Sequence, residues 1–377
     1  MADRVLFVGP YPPPSHGTSI PFKQLVDFVQ RYCNAEVFVV NTESGDKSGV
    51  PLYSPKAVWP FLLISIQVLG RGSICDTVIC TGSQRFVATA GAFYTFILST
   101  LLGKKVYICI RGGAFDVYYS SLSLLWRFFL WQCLNRAKVL IVQTNLVYTS
   151  LSGEFRNLAV VPNHRIIPSV REFNRAESTD DQKLIRFVYV GEVRCEKGMI
   201  ELLEAYQKAC HELKPKGISI TLDIFGPTRS DFRDTFHSLL NAQDCLITYH
   251  GYVDHAVLMQ QLGHFDALVL PTYFPSEGHP GVLIEAMALG LPVVTTRWRA
   301  IPEIVTHEEN GLLCEPRDVG GLAECLIRIA LDDQLRSRLG DKAQERARQF
   351  DANVVLPRLC ALYDLKFRSQ VDDESCH

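Results

Sequence analysis

The chain has 377 residues, about twice the length of a common single domain, so two domains are the default. A hydrophobic share of 47 % allows full cores, and a net charge of −2 argues against a nucleic-acid partner. Twelve cysteines lie scattered without a C-x-x-C pair, which predicts small buried hydrophobes in a reducing compartment rather than a zinc site or a disulfide framework.

Met1-Ala-Asp-Arg leads at once into an apolar strand, so no signal peptide is expected. Strand-like runs follow at residues 4–9, 36–41, 77–81, 105–110, 139–143 and 158–161, with helical patterns between them such as Ser19–Tyr32. This alternation predicts a parallel sheet with crossover helices on both faces. The uncharged run 87–102 carries Thr89, Gly91, Thr95, Ser99 and Thr100 and is short for a membrane span, so it predicts a buried helix.

Residues 123–138 place Trp126, Phe128, Phe129 and Trp131 beside Arg127, Arg136 and Lys138. Two readings fit: an interfacial membrane helix, which a lipid-linked acceptor would explain, or a crossover helix packed on the sheet. The crossover helix is the expectation.

Residues 162–183 lose all apolar period and read as an interdomain linker. A second alternating set then begins, with strands at 185–190, 218–225 and 247–249 and helices at 198–213, 231–242 and 255–262. A short strand at 310–314, a helix at 319–331 and a charged helical tail over 334–367 close the chain.

Within this second set, residues 266–297 read as strand, turn-rich loop, short helix and strand. The loop holds Glu277, Gly278, His279, Pro280 and Gly281, and the helix is predicted to start near Pro280. From Gly278 to Pro292 the only formal charge is Glu285, in apolar surroundings on both helix faces. An unpaired carboxylate there costs several kcal/mol, so Glu285 requires either a ligand hydroxyl or a protein donor. The helix start beside Glu277 presents free N–H groups and positive dipole, which suit a phosphate or diphosphate.

With Glu277 and Glu285 separated by seven residues inside strand-loop-helix-strand, the chain resembles the retaining glycosyltransferases of family 4, which carry a Glu-x7-Glu motif. The resemblance implies an α/β GT-B fold: two doubly wound Rossmann-like domains facing a central cleft. The domains it implies are an acceptor-side domain over 1–165, a nucleotide-sugar-binding domain over 166–350 and a C-terminal helix over 351–377 returning to the first. Glu285 would accept from ribose hydroxyls, the helix start at Gly278, His279, Pro280 and Gly281 would hold the diphosphate, and Glu277 would face the sugar.

Lys197 opens a helix after a strand, where an ammonium opposes the dipole unless an anion binds there. The family usually shows an arginine shortly before this lysine; here Glu192 takes that position, and Arg194 is the nearest substitute. Gly17 is the one glycine of the loop after the first strand, where the family is Gly-rich, and His16 stands where a second glycine is common. Arg111 ends a strand where many relatives have a histidine near the reacting sugar, and its guanidinium suits a phosphate or an acidic acceptor.

The resulting expectation is a retaining, metal-independent glycosyltransferase without a cofactor. It would take a nucleoside diphosphate sugar as donor and a glycan or lipid-linked acceptor, with Glu277 and Arg111 as catalytic candidates. Glu285, Lys197, Arg194 and Gly17 complete the donor-binding candidates, and no metal ligands are expected, because His250, His255, His264 and His307 have no metal-ligand spacing and there is no Asp-x-Asp. A cytoplasmic protein, with peripheral contact at the inner face of a membrane, follows from the resemblance. The alternatives are a GT-B nucleotide-sugar epimerase and a non-catalytic nucleotide-sugar-binding protein.

Overall fold

The computed structural model describes residues 2–13, 16–43, 55–167 and 183–368. The chain divides into two compact units, one formed by Met1–Asn163 with Ala352–His377 and the other by His164–Asp351. Each is a six-stranded, wholly parallel sheet with helices on its faces.

In the first unit the strands are β1 (Asp3–Gly9), β2 (Ala35–Asn41), β3 (Thr77–Ser83), β4 (Lys105–Arg111), β5 (Val139–Val142) and β6 (Leu158–Val160), in the order β2-β1-β3-β4-β5-β6. Alternate residues point to opposite faces. Phe7, Ile79, Tyr107 and Ile141 meet α1 (Ser19–Tyr32) and the C-terminal α14 (Ala352–Leu362), whose Val355, Leu359 and Cys360 share that core. The opposite face carries Leu6, Val8, Val78 and Val106, packed by Val68 of α2 (Pro55–Ile74) and by the helical run 84–101.

That run is α3 (Gln84–Phe86), a π turn (Val87–Gly91), α4 (Ala92–Phe96) and a second π turn (Ile97–Leu101). The hydroxyls of Thr89, Thr95 and Ser99 each donate to the carbonyl four residues back, a competition that loosens the regular ladder. The expected buried helix is buried on one face only. Val87, Ala88, Tyr94 and Leu98 are inside, whereas Phe93, Phe96, Leu101 and Leu102 are exposed.

Beyond it come α5 (Phe115–Ser121), α6 (Leu124–Leu134) and α7 (Asn145–Leu151). Helix α6 corrects the crossover expectation in part. Leu130, Cys133 and Leu134 pack inward, but Leu124 and Leu125 are more than 80 % exposed, and Trp126, Phe128 and Phe129 also face outward.

The second unit contains β7 (Lys183–Val190), α8 (Met199–Leu213), β8 (Ile218–Phe225), α9 (Arg233–Asn241), β9 (Ile247–Gly251), α10 (His255–Leu262), β10 (Ala267–Leu270), α11 (Gly281–Ala288), β11 (Val293–Thr296), β12 (Gly311–Cys314), α12 (Val319–Leu331) and α13 (Asp333–Ala347). Its sheet order is β12-β11-β10-β7-β8-β9. Strands β10, β11 and β12 are short and wholly buried, as helices on both faces require, whereas the edge strand β9 alternates between half-buried and exposed residues.

The charged tail is two helices rather than one, broken at the 3-10 turn Arg348–Phe350, and the unit boundary falls just after that break. Residues 168–182 of the expected linker lie outside the described residues. Its first residues are not linker-like: Asn163, His164 and Arg165 are all buried. The eleven described cysteines are free and eight are buried, and burial pushes the Cys80 thiol up to about 12.

Candidate active site

In the second sheet the chain runs outward from β7 through β8 to β9, then returns to the other flank of β7 with β10. The reversal leaves the carboxyl ends of β7 and β10 side by side, and open parallel sheets bind ligands at such switch points. The loops leaving these strands carry Lys197 and Glu277.

The two loops are held close. Tyr273 N–H donates to the Glu196 carbonyl at 2.9 Å. Gly198, at φ +75°, starts α8 in the left-handed region, and a Cβ there would lie 2.1 Å from the Pro271 carbonyl oxygen. Glycine is required at this position on both grounds.

Glu277 is 7 % exposed, and its Oε2 accepts from Lys197 Nζ at 2.5 Å and Thr272 Oγ1 at 2.7 Å. Lys197 Nζ also lies 5.2 Å from the centre of the Phe274 ring, with the Arg194 guanidinium 4.7 Å from the same ring. Arg194 is not an open cation. It donates from Nη1 to Glu192 at 3.1 Å and as a fork to both oxygens of Glu196 at 2.9 Å. Its hydrogen bond brings the Glu196 carboxyl down to about 2. The glutamate at the family's arginine position is thus an acceptor for the substitute arginine.

Glu285 is buried in α11, and its partners are protein groups. Arg165 Nε lies 2.5 Å from Oε1, and His255 Nε2 lies 3.1 Å from the same oxygen. Burial alone raises this carboxyl's pKa, but the Arg165 charge and the hydrogen bonds from His255 and Arg165 outweigh it and bring the group to about 2. Glu285 is therefore an anion at neutral pH.

Arg165 is anchored by its own main chain, whose N–H donates to the Phe350 carbonyl at 3.0 Å beside a bridge to Asp351, and by Nη1 donating to the His164 carbonyl at 2.8 Å. Gly281, the first residue of α11, makes its approach possible, because a Cβ there would sit 1.5 Å from Arg165 Nη2.

Pro280 is the N-cap of α11, which has no side-chain cap, so the first-turn N–H groups are not taken by a capping side chain. Gly278 and His279 are buried in the preceding loop, with His279 Nε2 3.3 Å from Glu303 Oε2 and its ring edge-on to Phe350. Glu277, Gly278, His279, Pro280, Gly281, Glu285, Lys197 and Arg194 thus lie in one unit around one strand junction.

Arg165, His255 and Thr272 were not singled out by sequence reasoning. The only signal was the requirement that Glu285 be paired, which gave no position for the partner.

Gly17 and Arg111 belong to the first unit. A Cβ on Gly17 would meet nothing within 4 Å. Beside it, His16 Nδ1 accepts from Thr18 Oγ1 at 2.9 Å and from the Ser19 N–H at 3.3 Å, and Nε2 donates to Glu43 at 3.0 Å. The imidazole therefore serves the uncapped start of α1. Arg111 ends β4 and is 4 % exposed.

Elsewhere, the potential ligand atoms of His211, Asp244 and Cys245 lie within 4.8 Å of one another, largely at the surface. Among the described residues no helix is long and apolar enough to cross a membrane.

Solved structures establish the fold. Anabaena HepE, determined in complex with UDP, superposes with a TM-score of 0.71 over 96 % of this chain and 99 % of its own, at 17 % identity. The architecture is GT-B.

The sequence comparison concentrates on the second unit, where residues 170–346 match the family model of group 1 glycosyl transferases. The chain is 31 % identical over 182 residues to glycogen synthase of Mycobacterium tuberculosis, covering 47 % of this chain and 41 % of that protein. It is 32 % identical over 173 residues to a putative teichuronic acid biosynthesis glycosyltransferase of Bacillus subtilis, covering 46 % and 39 %. The chain thus spans less than half the length of these curated relatives.

Proposed function

We propose that the protein is a retaining glycosyltransferase of family 4. It moves a hexosyl unit from a nucleoside diphosphate sugar to a hydroxyl of a glycan or lipid-linked acceptor. The observation that carries this reading is the β7/β10 junction, where Lys197 and the uncapped start of α11 flank two buried glutamates. The match of residues 170–346 to group 1 glycosyl transferases supports it.

In this reading the diphosphate takes the Lys197 ammonium from Glu277 and lies against the first turn of α11. Leaving-group charge is then stabilised by a lysine and backbone N–H groups, without a metal ion. Glu277, released from Lys197, accepts from sugar hydroxyls and stabilises positive charge developing at the anomeric carbon. The acceptor hydroxyl attacks the face that the diphosphate leaves and passes its proton to the departing diphosphate oxygen.

Arg165 and His255 keep Glu285 ionised, and a carboxylate has acceptor sites enough to serve ribose hydroxyls as well. The UDP bound by HepE makes uridine diphosphate the first nucleotide to test. The teichuronic acid relative suggests surface polysaccharide as the product class.

The exposed apolar residues of α6 add a membrane contact at a cytoplasmic face. Leu124, Leu125, Trp126 and Phe128 project outward, and besides the buried Arg111 the stretch 84–138 carries Arg85, Lys104, Lys105, Arg127, Arg136 and Lys138 against Asp116 alone. Apolar anchors amid net positive charge suit an anionic lipid surface carrying the acceptor.

The test is a thermal-shift series with UDP, GDP and ADP, followed by assay of transfer from the matching sugar conjugate. One diphosphate should raise Tm, and Lys197→Met should abolish that shift. Transfer should fall by roughly a hundredfold or more in Lys197→Met. Absence of any shift, or turnover of donor to an epimer without acceptor, would overturn the proposal.

A further inference from the structure

Arg111 is a buried cation, 4 % exposed. Its Nε and Nη2 are buried and make no hydrogen bond, and among the described residues no carboxylate pairs with it. Strand alternation and register set its surroundings. Thr81 pairs with Cys109 and Ser83 with Arg111 across β3 and β4, so Thr81 and Arg111 lie on the sheet face covered by α1 and α14.

Thr81 Oγ1 on this face is also buried without a partner. The Tyr363 hydroxyl, just past α14 and beside the Cys109 thiol, makes no hydrogen bond of ordinary geometry. Burial pushes both Tyr363 and Cys109 upward, and the Arg111 charge offsets part of that push. The backbone turns away at Gly112, φ +109°, whose N–H donates to Gln143 Oε1 at 2.9 Å.

A folded chain seldom leaves a guanidinium in this condition, because a buried charge is tolerated when paired. Water satisfies hydrogen bonds but not charge. An oxyanion satisfies both, and a guanidinium edge matches the two oxygens of a carboxylate or phosphate. The position is again the carboxyl end of a parallel strand, β4, which lies next to β3 and so one strand from the reversal between β1 and β3.

We infer that Arg111 is an anion-recognition residue of the first unit, and that the acceptor carries a carboxylate or phosphate which Arg111 binds, with the Tyr363 hydroxyl in support. This rests on the glycosyltransferase reading for the word acceptor; the anion subsite itself stands on the first unit alone. It makes Arg111 a specificity residue, which sorts acidic acceptors from neutral ones.

The test uses the full chain and four probes: inorganic phosphate, glucose 1-phosphate, glucuronate and glucose. The phosphate probes or glucuronate should bind, identifying which oxyanion is preferred, while glucose should not. Arg111→Gln should weaken that binding by roughly ten- to hundredfold, Arg111→Lys less, and Tyr363→Phe by several-fold.

Lys197→Met, which removes the cation of the other unit's diphosphate site, should abolish the nucleotide shift while leaving the anion binding that Arg111→Gln removes, so failure of the nucleotide site and failure of this subsite are read separately. Arg111→Gln should also keep or raise Tm in the ligand-free protein, where a residue with a structural role would lower it. Equal anion binding by wild type and Arg111→Gln, absence of binding by every anionic probe, or a large drop in Tm would each overturn the inference.

Discussion

Arg165 and Glu285, 120 positions apart, meet with Nε 2.5 Å from Oε1 in the interior of one unit, and both are less than a tenth exposed. The contact joins the second residue of the unit to the helix that follows the Glu277 loop.

Breaking this pair from either side should destabilise the protein strongly, because each substitution leaves the other charge buried. Glu285→Ala and Arg165→Met should each cost about 3–5 kcal/mol, and the double variant should cost much less than their sum. Urea denaturation of the four proteins measures this. Additive losses would mean that the two groups do not depend on one another.

The same pair predicts an acid transition. Glu285 is held at about 2 in the folded protein against an ordinary 4.5, so its contribution is fully present above 4.5 and is lost as pH falls toward 2. The shift corresponds to about 3 kcal/mol. Unfolding free energies from pH 7 to pH 3 should therefore fall more steeply for wild type than for Glu285→Gln, and parallel curves would refute the assignment.

Gly281→Ala should act through Arg165 rather than through the helix. The added carbon would lie 1.5 Å from Nη2, so the guanidinium must leave Glu285, at a cost of about 3 kcal/mol or more. Gly17→Ala, with nothing within 4 Å of the new carbon, should stay within about 0.5 kcal/mol of wild type. Thermal melts of the two variants make the comparison.

Helix α6 should carry membrane contact if its exposed residues are the anchors. Leu124→Ser, Trp126→Ser and Phe128→Ser together should reduce flotation with vesicles rich in anionic lipid, and rising salt should reduce wild-type binding. Unchanged flotation of the triple variant would remove α6 from the interface.

Much of the fold was legible because its signals are local. Strand β8 and helices α1, α10 and α12 fall within the stretches that hydrophobic period predicts, since burial on a face imposes that period on neighbouring residues. The Glu277 loop was legible for a related reason, as Pro280 and Gly281 mark a helix start and an isolated acid in an apolar helix requires a partner. The outward face of α6 was misjudged because an apolar helix reads alike whether it packs on a sheet or faces outward.

The sequence by itself determined the alternation of strands and helices, the place of the turn-rich loop and the need to neutralise Glu285, all properties of residues close together in the chain. Only the tertiary structure decided that Arg165 and His255 meet that need, that Glu192 and Glu196 engage Arg194, and that Arg111 lies buried with no carboxylate paired to it among the described residues. Those outcomes depend on which strand ends lie side by side and how near their loops approach. Sheet order and close packing set both, and residues distant in sequence carry no local period that records them.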